Sequence, residues 1–253
     1  MKHVIVGILA VMMAALWAPM APAVETSGSA SVDILSQYVW RGQQLSDEVV
    51  IQPSVGISYG GFGANLWANY DTDTKEHNET DLTLSFSNSV DKLSYDAGYI
   101  YYALDSSGDD GSGNDTQEFY LTLWYDVILS PSITVYYDFD EGDGAFIVAA
   151  IGHSFELPHK LSLDLGASAS YNADNLVMGT DENGDEFSDF YNGTLSASLA
   201  IPITDAISVT PVIAYSFPLS NDSEDVLEGI AEAVTGDRDA DVVYGGVNIS
   251  LSF

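Results

Sequence analysis

The last thirteen residues, Asp241 to Phe253, read DVVYGGVNISLSF. Val243, Val247, Ile249, Leu251 and Phe253 fall on one parity, and Tyr244, Asn248, Ser250 and Ser252 on the other. Successive side chains of a strand point to opposite faces, so this alternation specifies a strand with one apolar and one polar face. The pattern recurs along the chain. Leu161, Leu163, Leu165, Ala167, Ala169 and Tyr171 alternate with Ser162, Asp164, Gly166, Ser168 and Ser170; Leu82, Leu84 and Phe86 alternate with Asp81, Thr83, Ser85 and Ser87. Twelve such segments are expected, near residues 30–40, 49–58, 62–70, 80–89, 93–102, 117–127, 132–139, 145–155, 161–171, 190–201, 206–217 and 241–253.

The connections carry a second pattern. Short turns near Tyr59–Gly61, Val90–Lys92, Leu129–Pro131, Glu156–Lys160 and Pro202–Asp205 alternate with longer polar links near 41–48, 71–79, 103–116, 172–189 and 218–240, the link at 140–144 being short. Most segments approach the ~9–11 residues of a tilted membrane strand, and short turns at one end with long loops at the other are a mark of transmembrane barrels. The expected fold is therefore all-β: a transmembrane antiparallel up-and-down barrel of about twelve strands. An even count with alternating loop lengths puts both termini in the periplasm. Pro53 and Pro211 fall inside expected strands, where the missing N–H calls for a bulge or a strand end. Ser223 to Val234 has helical spacing, with Val226, Leu227, Ile230 and Val234 on one face.

The N-terminus fits an exported protein. Lys2 and His3 precede an apolar run, Val4 to Trp17, too short to span a bilayer, and Ala21-Pro22-Ala23 offers small residues at a cleavage site. This reads as a signal peptide over residues 1–23 and a barrel over 24–253. The chain has no cysteine, so it crosses an oxidising periplasm without disulfides. The closing strand, ending on Phe253 with Leu251 and Ile249 on the same face, resembles the terminal signal read by the barrel-assembly machinery. The expected location is the outer membrane of a Gram-negative bacterium, in contact with outer-membrane lipid and lipopolysaccharide.

Acids outnumber bases by 38 to 6, which excludes nucleic-acid binding, since phosphate recognition needs clustered cations. If the apolar parity faces lipid, Asp33, Asp81, Asp96, Glu118, Asp126, Asp138 and Asp164 face inward as pore-lining residues, with Arg41 the only inward base within an expected strand. Arg41 is expected to be structural, paired with nearby acids. An acidic bore concentrates cations, so the expected solutes are small and cationic or neutral. A bore of this size is narrow, since wide aqueous porins use ~16–18 strands. Trp67, Tyr120, Trp124 and Tyr136 also point inward. Tyr38, Trp40, Tyr70, Tyr99, Tyr101, Tyr137, Tyr171, Tyr215 and Phe217 sit near outer ends on the apolar parity, as an interfacial girdle does. The alternative is a side-chain-filled structural or adhesin barrel without conduction. A homo-oligomer is compatible with either.

Several motifs add a family likeness. Ser36-Gln37-Tyr38-Val39-Trp40-Arg41-Gly42, followed by Gln44 and Ser46, resembles the opening motif of the TorF family of porins, also grouped as the Gcw family of proteobacterial outer-membrane proteins. That motif usually carries an acid and a Phe where Gln37 and Trp40 stand. Gly61-Phe62-Gly63-Ala64-Asn65-Leu66-Trp67-Ala68-Asn69, Glu79-Thr80-Asp81 and Asp96-Ala97-Gly98-Tyr99-Ile100-Tyr101-Tyr102 resemble later blocks. The resemblance spans roughly Ser36 to Tyr171 and implies a porin, with no particular solute.

No cofactor and no metal site is expected. Asp105, Asp109, Asp110 and Asp115 crowd one loop, and Asp181, Glu182, Asp185, Glu186 and Asp189 another, but Gly184 is misplaced for an EF-hand loop. An outer-membrane lipid hydrolase would need a Ser beside a His. His153 has Ile151 and Phe155 as its same-face neighbours, His159 lies in a turn, His77 in an acidic loop, and no Gly-x-Ser-x-Gly elbow is present. A non-enzyme is expected.

Overall fold

The computed structural model describes residues 26–105 and 114–253. The leader reading, with cleavage between Ala23 and Val24, and the loop acids Asp109 and Asp110 lie outside the described residues. The first strand is β1 (Thr26–Leu35), followed by two short strands, β2 (Tyr38–Trp40) and β3 (Gln43–Ser46). Then come β4 (Val50–Tyr59), β5 (Phe62–Asp71), β6 (Glu76–Val90), β7 (Leu93–Leu104), β8 (Thr116–Tyr125) and β9 (Ser132–Asp138). The chain continues through β10 (Gly144–Leu157), β11 (Leu161–Ala173), β12 (Ser188–Pro202), β13 (Ile207–Pro218), helix α1 (Asn221–Thr235) and β14 (Val242–Ser252).

Twelve strands, β1 and β4 to β14, form a closed antiparallel barrel in which β1 pairs with both β4 and β14. The expected number and order are met, and the expected boundaries are off by only a few residues. The seam closes at Phe253, whose N–H donates to Gly28 O at 2.9 Å and whose carbonyl accepts from Gly28 N–H at 2.7 Å. Its ring lies over Gly28, where any Cβ would clash.

The apolar parity faces outward. Val55, Ile57, Leu66, Leu195, Ile213 and Val243 are all exposed, and a closed barrel that shows such a belt all round its wall suits an apolar solvent. Both described ends of the barrel lie at the end of the short turns, as residues 26 and 252 pair with residues 59 and 29. The link near 71–79 shrinks to residues 72–75, because β6 begins at Glu76.

Pro53 and Pro211 make neither a bulge nor a strand end. Each stays in register with one neighbour, Val32 and Val247 respectively, and turns its missing N–H to the other. There the ladder skips two pairs, between Ile51 and Ser54 against β5 and between Val209 and Val212 against β12, without slipping.

One stretch expected in the wall, residues 36–40 at the end of the first expected strand, leaves it. Tyr38 to Ser46 is not part of the first strand but a separate hairpin, β2–β3, whose turn residues Arg41 (φ 51) and Gly42 (φ 89) are both left-handed. Two consecutive positive φ values make the tight turn that matches strand twist. A side chain at 42 would also press on Asn192. Helix α1 is the expected one, slightly longer. It starts with a reciprocal cap, Ser220 Oγ accepting from Ser223 N–H at 3.2 Å and Ser223 Oγ from Ser220 N–H at 3.1 Å. It buries Leu227 and Ala231 and packs against β3, β12 and β13.

Candidate functional site: an acid-lined bore with an inserted hairpin

Hairpin and helix together fill the long-loop end of the barrel. Phe146 and Tyr191 from the wall, Met178 and Phe187 from the β11–β12 loop and Leu227 from α1 form a buried cluster. Trp40, Tyr136, Val148, Val177 and Val226 pack around it. Tyr38 and Trp40 are therefore not girdle residues: Tyr38 is buried and meets Trp67 at 5.9 Å between ring centres, and Trp40 meets Tyr102 at 5.9 Å. Elsewhere the outward aromatics form stacked groups at the long-loop end, such as Phe119 against Phe139 at 4.9 Å and Tyr215 against Phe217 at 5.3 Å.

The tip of the hairpin is its anchor. Arg41 lies in the turn, not in a membrane strand, and reaches Glu118 on β8. Its Nη1 and Nη2 donate to the two carboxylate oxygens at 2.7 and 2.6 Å. Arg41 is 9% exposed and Glu118 1%. The guanidinium lies 4.4 Å from the Trp40 ring, 4.3 Å from Tyr136 and 4.9 Å from Phe146, a planar cation held in plane by a carboxylate and on its faces by rings. Burial is the largest single influence and works against its charge, but Glu118 together with the Tyr102 and Tyr136 hydroxyls outweighs it and raises the pKa. Tyr102 Oη also donates to Glu118, at 2.8 Å. Nearer the root, Tyr38 Oη donates to Glu79 at 2.8 Å, and beside the turn Gln43 Nε2 donates to Val177 O and Tyr191 Oη, both at 3.1 Å.

The expected pore-lining residues fall into three groups. Asp81, Glu118 and Asp138 face inward at the filled end; Asp138 is fully buried and accepts from Thr116 Oγ1 at 2.6 Å, while Asp81 Oδ1 is buried with no hydrogen-bond partner. Asp33, Asp96 and Asp164 face the rest of the bore: Asp33 accepts from Asn248 Nδ2 at 2.8 Å, Asp96 from Ser87, and Asp164 from Ser162 at 3.2 Å. Asp126 leaves the wall, since β8 ends at Tyr125 and the residue is exposed in the short β8–β9 turn. Glu79 and Asp71, both buried, join the inward acids. Glu79 shares Asp81's parity; extending that strand back to Glu76 brings it in.

Toward the short-turn end the inward face carries small hydroxyls. Ser27 pairs with Ser58 at 2.7 Å, Ser208 with Ser250 at 2.7 Å and Thr122 with Thr134 at 2.9 Å. Every described Lys and Arg other than Arg41 stands in a turn or loop, at Lys75, Lys92, Lys160 and Arg238.

The loop acids serve their own backbone. Asp181 Oδ1 accepts the N–H groups of Asp185 and Asn183, each at 2.9 Å, and the Asp185 amide does most to hold its carboxyl below the usual range. At the outer wall a bulge at Asn78 brings Thr80 Oγ1 within 3.0 Å of His77 Nε2, a hydroxyl–imidazole pair that two-residue spacing conceals. Asp105 stands 3.9 Å from the other nitrogen and is 79% exposed, too far for the bond that orients a catalytic imidazole.

No family model and no curated protein matches the chain, so the TorF likeness rests on the motifs alone. Solved structures do match. The KdgM porin aligns over 89% of this chain and 99% of its own, at 13% identity and a TM-score of 0.56. A second structure, the KdgM porin in complex with disordered oligogalacturonate, aligns over 90% and 99%, at 12% identity and a TM-score of 0.52. The fold is that of a twelve-stranded porin barrel.

Proposed function

We propose that the chain is an outer-membrane channel of porin type, with its short turns and both barrel ends in the periplasm, passing small cationic or neutral solutes. The observation that carries this reading is the charge of the bore. Among the described residues, Asp33, Asp96 and Asp164 lie in its wall with no Lys or Arg on the inward parity of the strands, and the one inward cation, Arg41 of the hairpin turn, is matched by Glu118. Fixed acids in a confined passage attract cations and repel anions. An oligogalacturonate, the polycarboxylate in one of the KdgM structures, would meet repulsion here. The outward apolar belt supplies the lipid contact, and the Gly28–Phe253 seam, with Ile249 and Leu251 beside it, is where assembly completes the barrel.

The packed cluster of Phe146, Met178, Phe187, Tyr191 and Leu227 favours a second reading, a filled barrel without conduction. Single-channel recording in planar bilayers under a salt gradient separates the two. A small conductance with a cation-directed reversal potential is expected. Anion preference overturns the electrostatic reading, and no conductance in either the wild type or a hairpin deletion establishes the filled barrel.

A further inference from the structure

We propose that Glu118, Tyr102, Tyr136 and Phe146 form a recognition box for guanidinium-bearing solutes, which Arg41 of the protein's own hairpin occupies at rest. These four residues come from β8, β7, β9 and β10, four neighbouring strands of the wall. The box is therefore built without the hairpin. Tyr102 Oη fixes one oxygen of Glu118 at 2.8 Å, and Tyr136 and Phe146 present rings within 5 Å of the cation. Only the occupant and Trp40 belong to the hairpin.

The shape selects a chemical class. Glu118 uses both oxygens in a fork that a guanidinium matches with two parallel N–H donors, and the rings need a flat cation to stack on. An ammonium is a point charge and fulfils only one of these contacts at a time.

The hairpin's ties are mixed, with Trp40 against Tyr102 and Tyr38 against Trp67 beside its hydrogen bonds, and it is the polar ties that a solute can exchange. The hairpin's buried side chains are Tyr38, Gln43, Gln44 and Ser46, while Leu45 is 39% exposed. Gln37, at its root, keeps Oε1 buried without a hydrogen-bond partner. Intramolecular hydrogen bonds are exchanged for bonds to water or solute at modest net cost. A solute that supplies its own guanidinium replaces the Arg41–Glu118 pair in kind, so the hairpin can leave without stranding a buried carboxylate. The proposal rests on the channel reading for the route by which a solute arrives, not for the box itself.

The test uses full-length folded protein in detergent and methylguanidinium as probe, with methylammonium and sodium as controls. In Arg41→Ala the box is freed, and methylguanidinium should raise the unfolding temperature saturably; Arg41→Ala/Glu118→Gln should weaken that binding about tenfold or more, the loss for one charge-assisted pair. In otherwise wild-type protein, which has no cysteine, spin labels at Leu45→Cys and Ile203→Cys report the hairpin's distance from the short-turn end. Methylguanidinium should lengthen or broaden that distance, and methylammonium should not. Folded Arg41→Ala without saturable, guanidinium-selective binding overturns the box. Binding to Arg41→Ala with an unmoved label in the wild type overturns displacement and makes Arg41 a permanent clip. Neither readout uses conductance, so a failed channel reading would show separately in bilayers.

Discussion

The two ends of one bore contrast. Both are built from the same strands with the same alternation of inward and outward side chains. At the long-loop end the inward residues Glu118, Asp138, Phe146 and Tyr191 are at most 1% exposed, and they pack like a protein core. At the short-turn end, Ser27, Ser29 and Ser154 are exposed. Alternation decides which side chains face inward. What fills the space is decided by connections, here a hairpin and a helix that carry apolar and polar groups matched to the wall. A barrel can therefore be narrow at one end and hydrated at the other with no change in strand number.

The largest test of this contrast removes the filler. Replacing residues 38–46 by a short Gly-Ser link should raise single-channel conductance several-fold while the barrel still folds, as seen by heat-modifiable migration. The hydroxyl-lined end should be unaffected, since none of its cross-strand pairs touches the hairpin. Unchanged conductance would mean that the narrow point lies elsewhere, and the contrast between the ends would lose its functional meaning.

A smaller effect sharpens the same contrast. Glu118→Gln leaves a buried guanidinium without its counter-charge. Removing one partner of a buried pair costs on the order of 3–5 kcal/mol. The loss should be local, appearing as faster amide exchange at Gln43 and Gln44. Asp164→Asn, at the hydrated end, should change stability by no more than about 0.5 kcal/mol, as surface substitutions do. Equal effects at the two sites would show that the filled end is not the more tightly packed one.

The wall was legible in the sequence, the plug was not. Alternation located all twelve strands, and the spacing of Val226, Leu227 and Ile230 located α1, because both signals are local. Tyr38 and Trp40 misled for the same reason. They continue the parity of β1, so periodicity extends that strand through Ser36 and Gln37, where the chain in fact turns inward. The tight turn at Arg41-Gly42 was the available sign of a hairpin, since a Gly there suits positive φ. The partner of Arg41 lies 77 residues away, a distance that no period encodes. Asp126 shows the limit at an element's end, where one residue more or less moves a side chain from the bore to the rim.

The smallest expected effect concerns selectivity in the hydrated end. Asp96 and Asp164 are inward, half-buried and set within strands β7 and β11. Each is paired with a serine hydroxyl and neither with a cation, so their charge is left to act on the bore. Water and salt reach them, and screening at physiological ionic strength operates over about 8 Å. They should therefore bias the ions that pass rather than bind them. Replacing both by Asn keeps size and hydrogen bonding and removes two charges. The potassium-to-chloride permeability ratio should fall by a few-fold toward unity, with conductance nearly unchanged because the narrow point is at the other end. A ratio that does not move would place selectivity at Asp81 and its neighbours under the hairpin. The filled end would then choose the ion as well as limit the flow, and the hydrated end would be a passive vestibule.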